Sequence, residues 1–208
     1  MWVIKLIGNE YLKIINELNA KSSTDTLKKQ KDYENWLDKV KLIETDPPEK
    51  KYILKKKRGS IKGIKKITLK DLEHDKEIGD AGEDAVYRQE LRIVEKYRNE
   101  KFLERVEHVS KDNDTLGYDI KSVTENGDDK YIEVKTTTQG KNTSFEISKG
   151  EINCSKEKGI KYYIYRVYEF KPKKEQLNYF KIIGDVSEQY NLKPIQCSCD
   201  PTDKKNNH

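Results

Sequence analysis

The chain has 208 residues, of which 34% are apolar and 38% charged, with 42 Lys and Arg against 37 Asp and Glu for a net charge of +5. That length suits one domain with an appendage, or two small domains, and allows a buried core. No apolar run approaches the roughly 20 residues of a membrane-spanning helix, and the opening Met1–Gly8 is too short for a secretory signal. Three cysteines (Cys154, Cys197, Cys199) and three histidines make neither a paired disulfide framework nor a zinc site. A cytoplasmic protein with no membrane partner is expected.

Charge is unevenly spread along the chain. Residues 1–72 hold 18 Lys and Arg against 10 acids, whereas residues 73–208 hold 24 against 27. Lys50–Lys66 carries nine positive charges and no acid. Lys55, Lys56, Lys57, Arg58 and Lys62 are therefore candidate nucleic-acid contacts, since each phosphate neutralised releases a counterion. A solvated linker following Pro47-Pro48 has the same composition. On either reading the stretch separates a basic, helical region at 1–72, suited to partner or nucleic-acid contact, from a domain at 73–208.

In chain order, Tyr11, Ile14, Ile15 and Leu18 recur at helical spacing, as do Tyr33, Trp36, Leu37, Val40 and Ile43. Ser22–Asp25 supplies the turn and N-cap between them. Thr68–Asp71 reads as a capping box, and a helix from Lys76 to Arg98 sets Ile78, Ala85, Val86, Ile93, Val94 and Tyr97 near one face. Phe102–Val109, Gly117–Thr124 and Lys130–Thr137 read as strands, with turns at Asp112–Asp114 and Glu125–Asp128. Ser144–Ser148 is a short extended piece. Ser148-x-x-Glu151 caps a helix that Gly159 ends, and the aromatic Lys161–Phe170 is a strand, with Tyr179–Ile183 another. The order is helix, three strands, helix, strand.

The hairpin formed by the second and third strands carries the chemistry. Side chains alternate along a strand, so Glu133 and Lys135 share one face while Ile132 and Val134 take the other. Asp119, on the adjoining strand, can approach Glu133 across the ladder. Two carboxylates beside an apolar layer repel each other and invite a divalent cation, and an ammonium next to them can orient a water. With 21 Glu and 36 Lys the Glu-x-Lys pair recurs by chance, as at Glu49 and Glu169, so the signal is its β context and the Asp before it. A cross-strand salt bridge facing solvent fits the same spacing. Gly79 and Gly82 each cost a helix about 1 kcal/mol relative to Ala, a sign of close approach by another group. Glu83, next to them, is placed to face the hairpin, and Glu90 shares its face more weakly.

Ile78–Glu83, His108–Ser110, Gly117–Ile120, Tyr131–Thr137, Phe145–Ser148, Glu151 and Tyr163–Tyr168 together resemble the NO VEIN C-terminal domain family, of the PD-(D/E)XK restriction-endonuclease-like superfamily, across residues 73–197. The resemblance implies an α/β fold with an αβββαβ core, here behind a small helical N-terminal extension. It implies a metal-dependent endonuclease that hydrolyses DNA phosphodiester bonds, in restriction or defence against foreign DNA. Mg²⁺, with Mn²⁺ as a substitute, would be held by Asp119, Glu133, the Val134 carbonyl and Glu83. Lys135 would position the attacking water. DNA is the expected partner; a homodimer follows because cutting two strands takes two sites, and an ATPase or recognition subunit is a further expected partner. The rivals are a non-cleaving nucleic-acid-binding or partner-docking module on the same fold, and a nuclease acting on RNA or branched DNA. The family often shows Asn-Glu where this chain has Gly150-Glu151. Lys149, Lys156 and Arg166 flank the inferred site as surface charges within reach of a nucleic-acid backbone, Tyr162–Phe170 reads as a core strand, and His74 and His108 read as isolated.

Overall fold

A computed structural model describes residues 25–49, 69–113 and 115–194. Lys55, Lys56, Lys57, Arg58, Lys62, the helical repeat at Tyr11–Leu18, the Thr68 cap, Cys197 and Cys199 lie outside them. Residues 25–39 form a helix (α1). Lys41–Glu44 (β1) follows, then the long helix Leu69–Glu95 (α2), the single turn Glu100–Leu103 (α3) and the two-residue strand Glu107–His108 (β2). Ile120–Val123 (β3) and Asp129–Thr136 (β4) make the central hairpin. Lys149–Lys158 (α4), Tyr162–Tyr168 (β5), Gln176–Ile183 (β6) and Val186–Gln189 (α5) complete the chain. The six strands form one mixed sheet in the order β1-β6-β5-β4-β3-β2, in which β4–β5 and β1–β6 run parallel and the other pairs antiparallel.

Alternation along the strands sorts the side chains into two apolar layers. Ile132 and Val134 of β4, Tyr165 and Val167 of β5, and Leu177 and Tyr179 of β6 pack with Ile78, Ala85 and Val86 of α2 and Trp36 and Leu37 of α1. On the opposite face, Tyr162, Ile164, Phe180 and Ile182 pack with Cys154 of α4 and Val186 of α5. Helices therefore cover both faces of a mixed α/β architecture. Setting aside the single turn α3, the main elements from α2 to β5 run helix, three strands, helix, strand, with the first strand only two residues long.

Two local expectations are corrected. The apolar repeat through Val40 and Ile43 is not one helix: α1 stops after residue 39, and Arg92 of α2 donates to the carbonyls of Leu37, Asp38 and Val40 at its end. The chain then extends into β1 beside β6, with Leu42 buried and Ile43 exposed, so this part of the N-terminal stretch shares the sheet and core of the rest. Phe102–Val109 is not one strand either. Adjacent Phe102 and Leu103 both pack on the Val94–Val106–Val123 cluster, which a helical turn permits and alternation forbids, so only Glu107 and His108 join the sheet. The short piece Ser144–Ser148 lies outside the sheet, with no strand assigned. Among the described residues no helix is long and apolar enough to cross a membrane.

Candidate active site

The β3–β4 register runs from Val123↔Asp129 to Ile120↔Ile132 and ends there. Asp119 thus sits one residue before β3, in the notch where that strand stops, rather than within it. Its backbone is clamped: the amide donates to the Ile132 carbonyl at 2.9 Å, and its carbonyl accepts from the amides of Val109 (2.8 Å) and Ser110 (3.1 Å). The side chain fills the missing ladder position, with Oδ2 accepting from the Val134 amide at 2.7 Å. Gly117 makes the approach possible. Its φ of 77° is unfavourable for other residues, and a Cβ there would lie 3.0 Å from Cys154 of α4. Tyr162 pins the turn by donating its hydroxyl to the Gly117 carbonyl at 3.0 Å.

Glu133 and Lys135 share the α4 face of β4, as alternation requires, and are joined at 2.6 Å between Oε1 and Nζ. Lys135 also reaches Glu151 Oε2 at 3.1 Å. Glu151 is delivered by the capping box of α4: its amide donates to the Ser148 hydroxyl, and its carboxylate accepts from the Ser148 amide. The Ser148-x-x-Glu151 spacing announced the cap, but not that the same carboxylate would meet Lys135.

Glu83 approaches from the other side of the sheet. Gly82 lets α2 press onto β4, since a Cβ there would overlap the Thr136 hydroxyl; Gly79, by contrast, faces open space. The Glu83 carboxylate accepts from the Ser110 hydroxyl at 2.8 Å and lies 3.5 Å from His108 Nε2. Glu90 belongs elsewhere. It is fully buried on α2 and takes both Lys130 Nζ, at 2.8 and 2.9 Å, and the Tyr165 hydroxyl, at 2.9 Å.

These positions set the electrostatics. Burial pushes the Asp119 carboxyl well above the usual range, and Glu83 pushes it further, against the opposing Val134 amide and Lys135. Burial raises Glu133 likewise, with Asp119 the next cause and Lys135 opposing. For Lys135, burial favours the neutral amine, but Glu133 and Glu151 outweigh it and hold the ammonium charged.

Arg166 is not a surface charge. It is 3% exposed, with Nη1 donating to the Lys135 carbonyl at 3.0 Å and the guanidinium 5.4 Å from the Phe145 ring centroid. Burial lowers its pKa to about 10. Lys149 and Lys156 are exposed on α4. Tyr162, Tyr165 and Tyr168 are core residues, in keeping with a core strand.

Among the described residues, no group of three or more His, Cys, Asp and Glu side chains is gathered tightly enough to hold an ion unaided. One oxygen of each acid is already committed: Asp119 to an amide, Glu133 to Lys135, Glu83 to Ser110. The residues that fit a divalent ion are half-buried Asp119 and buried Glu133, two carboxylates whose ionisation is disfavoured until a cation offsets it. The Val134 carbonyl faces the same notch, because Ile132, two residues earlier, turns its carbonyl to Asp119 and residues i and i+2 of a strand share an edge.

A mixed α/β domain with paired acids and a lysine at a strand end is the class that fold and geometry define. Residues 85–180 match the family model for protein NO VEIN, C-terminal, so this stretch of the chain is similar to NO VEIN C-terminal domains. Asp119, Glu133, Lys135 and Glu151 fall inside the match and Glu83 just before it. No curated protein and no solved structure matches the chain.

Proposed function

We propose that the chain is a metal-dependent endonuclease of the PD-(D/E)XK type that hydrolyses DNA phosphodiester bonds, serving restriction or defence against foreign DNA. The observation that carries the reading is the pair of half-buried Asp119 and buried Glu133, the first raising the proton affinity of the second, with the charged Lys135 joined to Glu133. A structural salt bridge has no need to set a line of acids where Glu83 raises the proton affinity of Asp119 and Asp119 that of Glu133; a site for a hard cation does. Mg²⁺ at Asp119, Glu133 and the Val134 carbonyl would polarise the phosphoryl group and acidify a water. Lys135 keeps its proton at Nζ, orients the attacking oxygen and offsets charge on the phosphorane-like transition state. Glu151 holds Lys135 in place through the 3.1 Å contact. Glu83 completes the acidic lining from α2. The helix–three strands–helix–strand order supports a restriction-endonuclease-like core.

The test is cleavage of plasmid DNA with Mg²⁺ or Mn²⁺ by the full chain and by Asp119→Ala, Glu133→Ala and Lys135→Ala. Each substitution is expected to abolish cutting while leaving the far-ultraviolet circular dichroism intact. Wild-type cutting by these variants refutes the assignment. DNA bound but never cut with any divalent ion points instead to a binding module, and digestion confined to RNA or branched junctions reassigns the substrate.

A further inference from the structure

His108 closes β2 with a side chain only 7% exposed. Its Nε2 lies 3.5 Å from Glu83 Oε2 and its Nδ1 3.6 Å from Asp84 Oδ1, so one imidazole stands between two neighbouring carboxylates of α2. Neither ring nitrogen has a hydrogen bond; each lies just outside hydrogen-bond reach of its acid. The Tyr87 ring, 5.1 Å away, packs against the imidazole. Asp84 is itself fastened, by the Tyr33 hydroxyl of α1 at 2.8 Å and by Lys111 at 2.6 Å. A path of polar contacts therefore runs from α1 through Tyr33, Asp84 and His108 to Glu83, the acid whose charge acts on Asp119.

We propose that His108 is a positioning residue for the ion: braced by Asp84, it fixes the rotamer of Glu83 so that the carboxylate is presented to the Asp119 notch. The inference rests on the metal-dependent reading above. A glutamate on a helix surface has several rotamers, and fixing one costs side-chain entropy. Ser110 holds one oxygen of Glu83 from one direction; His108 supplies the second direction and removes the remaining swing. A packing histidine would need only Tyr87 and would not direct both nitrogens at carboxylates. Residues that orient metal ligands typically change metal affinity by about 10- to 100-fold when removed.

The measurement is Mn²⁺ binding by the full chain without nucleic acid, following free Mn²⁺ by electron paramagnetic resonance. Wild type is expected to bind, and His108→Ala to bind about 10- to 100-fold more weakly. His108→Gln, whose amide can reach Glu83 from the same side, should recover part of the loss. In a Glu83→Gln background, His108→Ala should add little, because the two act through one contact. Asp84→Asn should weaken binding in the same direction, and with His108→Gln it carries the test if the alanine variant does not fold. Folded His108 variants with wild-type Mn²⁺ affinity, or a loss fully additive with Glu83→Gln, overturn the inference while leaving the nuclease reading intact. Wild-type protein that binds no Mn²⁺ overturns both.

Discussion

Gly82 and Gly79 lie three residues apart in α2 and make opposite demands. Gly82 is where helix and sheet touch: a methyl group would overlap the Thr136 side chain, whose Cβ would be 2.9 Å away. Gly82→Ala is expected to cost about 1–3 kcal/mol through overpacking, with weaker metal binding because Glu83 moves with the helix. Gly79 has no neighbour within 4 Å of that position, so Gly79→Ala should stabilise by about 0.4–1 kcal/mol through helix propensity and a restricted unfolded chain. Urea unfolding of the two variants checks both signs. Legibility divides at this scale. The alternation that sets Glu133 and Lys135 on one face of β4 is local and could be read from the sequence. The partners of His108 come from α2, 24 and 25 positions earlier in the chain, and nothing in its own neighbourhood signals two carboxylates. Arg166 misled for a related reason: a lone arginine in an aromatic strand looks superficial until Phe145 is folded over it.

Among the elements, α4 shows how a cap can do two tasks. Ser148 accepts from the Glu151 amide and its own amide is bonded by the Glu151 carboxylate, and that carboxylate also meets Lys135. Ser148→Ala should destabilise the protein by about 0.5–2 kcal/mol and lower the cleavage rate beyond that by freeing Glu151. Cleavage assayed well below the melting temperature, where both proteins are folded, separates the two effects; an unchanged rate shows that the cap is structural alone. Elements with a strong local signature were readable, namely the capping box of α4, the aromatic β5 and the β3–β4 hairpin. β1 was not, because four residues continuing a helical spacing carry too little periodicity to announce a strand, and its pairing with β6 joins positions more than 130 residues apart. α3 was misread because Phe102 and Leu103 suit a strand in composition while packing fixes them as a turn.

At the scale of the whole molecule, Asp119 and Glu133 make stability depend on pH in a stated direction. Unfolded carboxyls titrate near pH 4, whereas Asp119 and Glu133 in the folded protein hold their protons to higher pH. Through that interval the folded state binds more protons than the unfolded one, so stability falls as pH rises. In a chelator the melting temperature should decline from about pH 5 to 9, and Glu133→Gln should flatten the decline. Saturating Mn²⁺ should oppose it by replacing the proton with a cation. A melting temperature that climbs across this range in chelator, with no change in Glu133→Gln, contradicts the electrostatic account.

The end of the β3–β4 ladder has one more consequence, for folding. Slipping the hairpin by a single residue would swing Glu133 and Lys135 into the greasy layer beneath α2 and turn Ile132 and Val134 outward. Asp119 would lose its amide at the same stroke. Mispairing would thus strand charges in oil, so the side chains assigned to chemistry also proofread the pairing of the strands that carry them.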